Sequence, residues 1–262
     1  MRKKAAKRTY DAPALEKGLD ILELLALEPG GLTKAEIARR LGRTSSEIFR
    51  MLVCLEARGY ISRPGADELI QLTLRLFQMA LEHPPAKRMI SEALPIMREA
   101  ARAINQSCHL AVIDDGQIVI LAQVDSAASQ GFYVRAGSTV ELMEAGSGHV
   151  ILAFQRPDIC AHIVERWRER TRKRVPADLD DHLARIRKTG FEVRPSYVVE
   201  GVVDISCPIL DNFSQAIAAI TVPYIERTSQ KTPIEMVQKH LRQASEQITQ
   251  AIGGKAVPAK LK

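Results

Sequence analysis

An α+β fold in two unequal domains is the architecture this sequence predicts, on three observations. The first part of the chain holds three short amphipathic segments set around a glycine turn and followed by a hairpin signal. The remainder mixes helices with apolar runs joined by tight turns, which points to antiparallel pairing rather than a doubly wound parallel sheet. Between the two, His83-Pro84-Pro85 interrupts a helical run and marks a boundary.

Residues 13–27 carry Leu15, Leu19, Leu22 and Ala26 at helical spacing, with Pro13 suited to a first turn and Pro29-Gly30-Gly31 as the stop. Thr33 and Glu36 then form a capping box: the threonine hydroxyl caps the next helix and the glutamate reaches back. Ile37, Ala38 and Leu41 supply its inner face, and Gly42 can take the left-handed conformation that ends a helix. After only Arg43 and Thr44 a third helix begins near Ser45. Its inward residues are Ile48, Met51 or Leu52, and Leu55, and it ends near Arg58-Gly59. Two short helices around a glycine-containing turn make a helix-turn-helix. Tyr60-Ile61-Ser62 and Leu69-Ile70-Gln71-Leu72 flank Pro64-Gly65-Ala66-Asp67, a hairpin that makes the unit a winged helix. A linking helix follows from Leu72 to Leu81.

In the second domain, residues 89–104 read as a helix that contains Pro95. The β-rich runs 107–113 and 117–124 surround Asp114-Asp115-Gly116, a strong hairpin signal. Further strands are expected at 131–135, 191–194, 202–210 and 216–224. Helices are expected after a Gly-Ser-Gly turn in 144–154, at 159–167, at 179–188 and at 233–252.

With 262 residues, 46% hydrophobic and 26% charged, the chain has an ordinary globular profile. No apolar run approaches the roughly 18 residues of a membrane span, and no apolar stretch follows the basic N-terminus as a secretory signal requires. Cys54, Cys108, Cys160 and Cys207 form no C-x-x-C pair and read as reduced, buried small hydrophobes, which fits a cytoplasmic protein. The histidines show no ligand spacing, so no metal site is expected, and no cofactor motif is present. The net charge is +6, and Arg2, Lys3, Lys4, Lys7 and Arg8 crowd the N-terminus as an arm that either sits on DNA phosphates or is simply solvated.

A recognition helix presents its N-terminal residues to base edges in the major groove. Here Arg43, Ser46 and Arg50 are candidate phosphate or base contacts, flanked by Thr44. Ser45, Glu47 and Phe49 are candidates for base readout: a carboxylate accepts from a cytosine amino group, and an aromatic edge touches a thymine methyl. The alternative is a helix-turn-helix that binds protein, with Ser45 as a helix cap. The basic run from Arg166 to Arg174 reads as a solvated helix end or as a second nucleic-acid patch. Gly146-Ser147-Gly148-His149 lacks the spacing of a nucleophile elbow, and its free backbone amides suit a carboxylate. His149 either contacts a ligand or packs, and Cys207 reads as core.

The segments 13–22, 36–42 with Ser46 and Arg50, 108–112, 146–153, Gly190-Phe191 and 200–209 stand in an order and spacing that resembles the IclR family of bacterial transcription regulators. The resemblance covers about residues 12–252. It implies a basic arm (1–11), a winged helix-turn-helix (12–72), a linker helix (73–86), a GAF-like effector-binding domain (87–252) and a flexible tail (253–262). It also implies a homodimer or homotetramer on a palindromic operator, sensing a small organic acid or aromatic catabolite, with no enzymatic activity. The effector site would comprise Gly146, Ser147 and Gly148, with Arg194, Asp204, Thr221 and Pro223 where members that bind small oxo-acids have an acid, a cysteine and two serines. That difference argues against a glyoxylate-like ligand. Arg194 and Asp204 instead address a carboxylate and a hydroxyl or amine, or else pair with each other. Ser45 stands where the family usually has a basic residue and Glu47 where it has a small polar one, and 211–214 lacks the family's usual glycine. An enzyme using Ser147, Cys207 or His149 is the rival reading.

Overall fold

The structure, a computed structural model, describes residues 12–63, 69–82, 84–128, 131–227 and 232–255. The N-terminal arm, the hairpin tip at 64–67 and the tail beyond 255 lie outside the described residues. The chain divides between Pro84 and Pro85 into two units.

The first unit holds α1 (Pro13–Ala26), α2 (Lys34–Arg40), α3 (Ser45–Ala57), β1 (Ile61–Ser62), β2 (Gln71–Leu72) and α4 (Arg75–Glu82). Ile21, Leu25, Ile37, Ile48, Leu52, Ile61 and Ile70 form its core. β1 and β2 pair antiparallel with Ile61 opposite Leu72, and Leu32 bridges to Ile70. Gly31, at φ +77°, allows this bridge: a Cβ there would sit 2.8 Å from the Ile70 carbonyl oxygen. Gly42, at φ +64°, ends α2 as expected. The buried side of α1 is a correction. Ile21 and Leu25 face the core, while Leu15 and Leu19 are 62% and 47% exposed, so the helix has two apolar sides and the spacing picked out the outer one.

Both short helices begin with complete capping boxes, at Thr33–Glu36 and Thr44–Glu47. Thr44, not Ser45, caps α3: its hydroxyl accepts from the Glu47 amide at 3.3 Å, and Glu47 Oε2 accepts from the Thr44 amide at 2.8 Å. Thr44→Ala is expected to destabilise the first unit by about 1 kcal/mol, the usual worth of such a cap. Loss of helical circular dichroism at lower denaturant, without a change at Trp167, would show it.

The second unit holds α5 (Pro84–Ile104), β3 (Cys108–Asp114), β4 (Gln117–Val124), β5 (Thr139–Glu141), α6 (Gly146–Ala153), α7 (Pro157–Thr171), α8 (Leu179–Thr189), β6 (Glu192–Pro195), β7 (Val202–Leu210), β8 (Ala216–Ile225) and α9 (Ile234–Ala251). α5 starts earlier than expected, because prolines are tolerated in a first turn, whose N–H groups lack intrahelical acceptors anyway. No strand forms at 131–135; the edge strand is β5. The six strands are antiparallel in the order β5-β4-β3-β8-β7-β6. Met97, Ile104 and Leu241 from α5 and α9 pack on one face, against Leu110, Ile205, Ile209, Ile220 and Val222. Val150, Leu152, Trp167, Leu183 and Ile186 from α6, α7 and α8 cover the other, against Ala111, Ile120 and Ala219. Burial on both faces explains why β7 and β8 read as nearly continuous apolar runs.

The Asp115-Gly116 turn has φ 44° and 72°, as a two-residue hairpin loop requires. It packs so closely that a Cβ on Gly116 would stand 2.5 Å from the Trp167 amide nitrogen. In the late turn, Ser214 takes φ 61° and Asp211 Oδ1 accepts from the amides of Phe213 and Gln215 at 2.8 and 2.9 Å, replacing the missing glycine. Cys108 and Cys207 are buried with thiols pushed up to about 12, but Cys160 is half-buried and Cys54 exposed, contrary to the sequence reading. Among the described residues no helix is long and apolar enough to cross a membrane.

Candidate functional site

α3 presents Ser45, Ser46, Phe49 and Arg50 outward, because Ile48 and Leu52 anchor its opposite side. Arg50 is exposed and has no ion pair among the described residues. Phe49 is 50% exposed, with Lys34 Nζ 5.7 Å from its ring centre. Two expected contacts are otherwise engaged. Arg43 turns to Asp20 of α1 at 3.4 Å. Both Glu47 oxygens are occupied, one by the cap and one by Lys17 at 3.3 Å, and these hydrogen bonds hold the carboxyl down to about 2. Glu47 therefore reads as a cap that pins α3 to α1.

Four of the six basic residues in the dense run form ion pairs among the described residues. Arg166 reaches Asp115 and Glu169, Arg168 reaches Glu165, Arg170 reaches Glu141, and Lys173 reaches Glu144. These contacts hold β5 and the turn after it against α7, which favours the solvated-helix reading over a second nucleic-acid patch.

A cavity of about 430 Å³ opens at the start of α6. Gly146, Ser147, Asp204, Thr221 and Pro223 line it, as do Ile120, Phe132, Tyr133, Val140 and Val198, with Arg135 also on the wall. Of the expected effector residues, only Gly148 and Arg194 are not on the wall. α6 lacks a side-chain cap, and the amides of Gly146 and Ser147 have no acceptor among the described residues. Glycine is required here by close approach: a Cβ on Gly146 would stand 2.9 Å from Ser206 Oγ, and one on Gly148 would collide with the Leu142 carbonyl. Burial raises the Asp204 carboxyl above the usual range, against the opposing influence of nearby Ser196 and Arg194. Ser206 Oγ and Thr221 Oγ1 are 2.8 Å apart. His109, which sequence reading missed as a site residue, also lines the cavity. Full burial pushes its imidazole down to about 4.

Arg194 stands opposite Asp204 in the strand register, yet its ion pair is with Glu192, at 3.4 Å. Its guanidinium also lies 3.2 Å from His149 Nδ1 and 3.6 Å from the centre of the Tyr197 ring. His182 Nε2 is 2.7 Å from Glu192. His149, His182 and Glu192 place ligand-type atoms within 4.8 Å of one another. Arg194 already supplies the positive charge that Glu192 needs, which suits an internally compensated cluster better than a dication. His149 thus packs inside this cluster. With its Nδ1 so engaged, it is no base for Ser147, and Cys207 belongs to the core on the sheet's other face.

The IclR helix-turn-helix domain matches residues 14–65, and the C-terminal domain of the bacterial transcriptional regulator IclR matches residues 86–250. The chain belongs to the IclR family. As an IclR-family protein it is a DNA-binding transcriptional regulator with an effector-binding domain, not an enzyme. It is 28% identical over 224 residues to the regulator KdgR of Escherichia coli, covering 83% of this chain and 84% of that one. It is also 28% identical over 213 residues to BhcR of Paracoccus denitrificans, covering 80% and 76%. In fold it is similar to an IclR homolog from Microbacterium hydrocarbonoxydans crystallised with 4-hydroxybenzoate (TM-score 0.73, 22% identity, 91% of this chain and 98% of that one). The Thermotoga maritima IclR gives a TM-score of 0.70 at 22% identity, with the same coverage.

Proposed function

We propose that this IclR-family regulator acts in the cytoplasm as a homodimer or homotetramer on a palindromic operator, and that a small carboxylate bound at α6 alters its operator affinity. The observation that carries the effector reading is the pair of free amides at the N-terminus of α6, opening into a cavity walled mostly by apolar side chains, where the acidic Glu141 and Glu144 are paired with Arg170 and Lys173. Helix N-termini favour anions, and Arg135 on the wall adds a cation with no ion pair among the described residues. Phe132, Tyr133, Ile120 and Val140 favour an aromatic or branched body over a bare two-carbon acid. Leu15, Leu19, Leu74 and Phe77 are exposed on the first unit, apolar surface of the kind a second copy covers.

Two copies of α3 would read half-sites spaced by helical turns, and ligand linkage follows if the effector binds two arrangements unequally. Arg50→Ala is expected to weaken operator binding by roughly tenfold and to lower the slope of log affinity against log salt by about 1, as loss of one phosphate contact does. Fluorescence anisotropy on the DNA upstream of the protein's own gene, across a salt series, measures both. Unchanged affinity and slope would remove Arg50 from the interface. Release from that DNA by pooled aromatic and aliphatic carboxylates tests the effector reading.

A further inference from the structure

Of the polar side chains on the cavity wall, one has a buried polar atom with no hydrogen-bond partner among the described residues. His109 on β3 is 7% exposed and lines the cavity; its Nδ1 is fully buried without a hydrogen-bond partner, and its Nε2, the ring nitrogen left to face the cavity, has none among the described residues either. We propose that His109 is the specificity-determining residue of the effector site, recognising a second oxygen, a hydroxyl or keto group, at the end of the ligand away from its carboxylate. This rests on the carboxylate reading given above.

Sheet register supports the placement. His109 lies opposite Thr221 on β8, and Thr221 lies opposite Ser206 on β7. Ser206 in turn sits directly beneath Gly146 at the start of α6. The amide end and the imidazole end are therefore two strand spacings apart, about 10 Å. That distance accommodates a benzene ring or a five-carbon chain with a hydrogen bond at each end. Ser206 and Thr221 bond each other, so the row between the two ends is already satisfied and the unpaired groups stand at its ends, the α6 amides and His109.

Burial keeps the imidazole neutral at ordinary pH. A neutral ring does not compete for the carboxylate, and it can donate to a keto oxygen or accept from a hydroxyl according to tautomer. A ligand without the second oxygen leaves the ring unpaired, and that penalty discriminates.

Isothermal titration of the full chain with two matched pairs tests the proposal: benzoate against 4-hydroxybenzoate, and pentanoate against 4-oxopentanoate. The native protein is expected to bind the oxygenated member of at least one pair about tenfold tighter. His109→Phe should bring that pair within roughly twofold, and His109→Gln should restore part of the preference. Should the phenylalanine variant not fold, judged by Trp167 fluorescence, His109→Leu carries the same comparison. Equal binding of both members by the native protein, or an undiminished preference after the substitution, overturns the role of His109 and leaves the carboxylate site standing. No binding of any of the four acids overturns the carboxylate reading and this proposal with it.

Discussion

Gly148→Ala is expected to destabilise the second unit by about 1–3 kcal/mol, the usual cost of overpacking, and to abolish effector binding while leaving the first unit intact. The cause is local. A Cβ at this position would collide with the Leu142 carbonyl and lie 3.1 Å from Leu142 Cδ1. Backbone yields less readily than a side-chain tip, so α6 must lift away from the turn that precedes it. That turn carries Glu144 and Ala145, and α6 begins with Gly146 and Ser147, all four on the cavity wall. The shift therefore moves the very amides to which the proposed carboxylate would bind. Gly18 in α1 provides the control, because a Cβ there meets nothing within 4 Å. Gly18→Ala should stabilise the first unit by up to about 1 kcal/mol through helix propensity alone. Trp167, the chain's single tryptophan and buried on the inner side of α7, reports unfolding of the second unit specifically. A Gly148→Ala protein with native stability and native carboxylate affinity would show that the close approach at Leu142 is not required.

Local chemistry made much of this fold legible in the sequence. The capping box at Thr33 and Glu36, the Asp115-Gly116 turn and the span of β7 follow from residues near one another in the chain, and each stands where local rules place it. The misreadings share a cause. Leu15 and Leu19 match helical spacing as well as Ile21 and Leu25 do, and only tertiary packing decides which side is covered. Ser45 and Thr44 are equally good caps by type, and one residue of register separates them. Arg194 and Asp204 are neighbours across β6 and β7, as a pairing requires, but Glu192 and His149 compete for the guanidinium through contacts no spacing reveals. His109 escaped for the same reason. Its place in the cavity comes from lying beside Thr221, more than a hundred residues away, where its Nδ1 lacks a partner.

Acidification should expose that lack of a partner. An imidazole whose pKa falls from 6.5 to about 4 on folding binds fewer protons in the native than in the unfolded chain throughout that interval. Its neutral form is therefore compatible with full stability above pH 6.5, and stability is lost progressively as pH falls toward 4. Between pH 7 and 4.5 the loss from this one group is about 2 kcal/mol. Asp204 acts in the opposite sense. Its carboxyl is raised by burial, so the native state binds a proton more readily than the unfolded chain, and acid partly offsets the loss. Glu47, held low by its cap, loses its stabilisation only in stronger acid and belongs to the first unit. Replacing His109 with phenylalanine removes the imidazole contribution and leaves the other two. Urea unfolding followed by Trp167 fluorescence at both pH values should then show a smaller acid-induced drop in the variant, by about 2 kcal/mol, whatever its stability at neutral pH. Equal drops in the two proteins would mean that the ring is hydrated or paired in solution. That same result would take away the unsatisfied group on which the proposed discrimination of a second ligand oxygen rests.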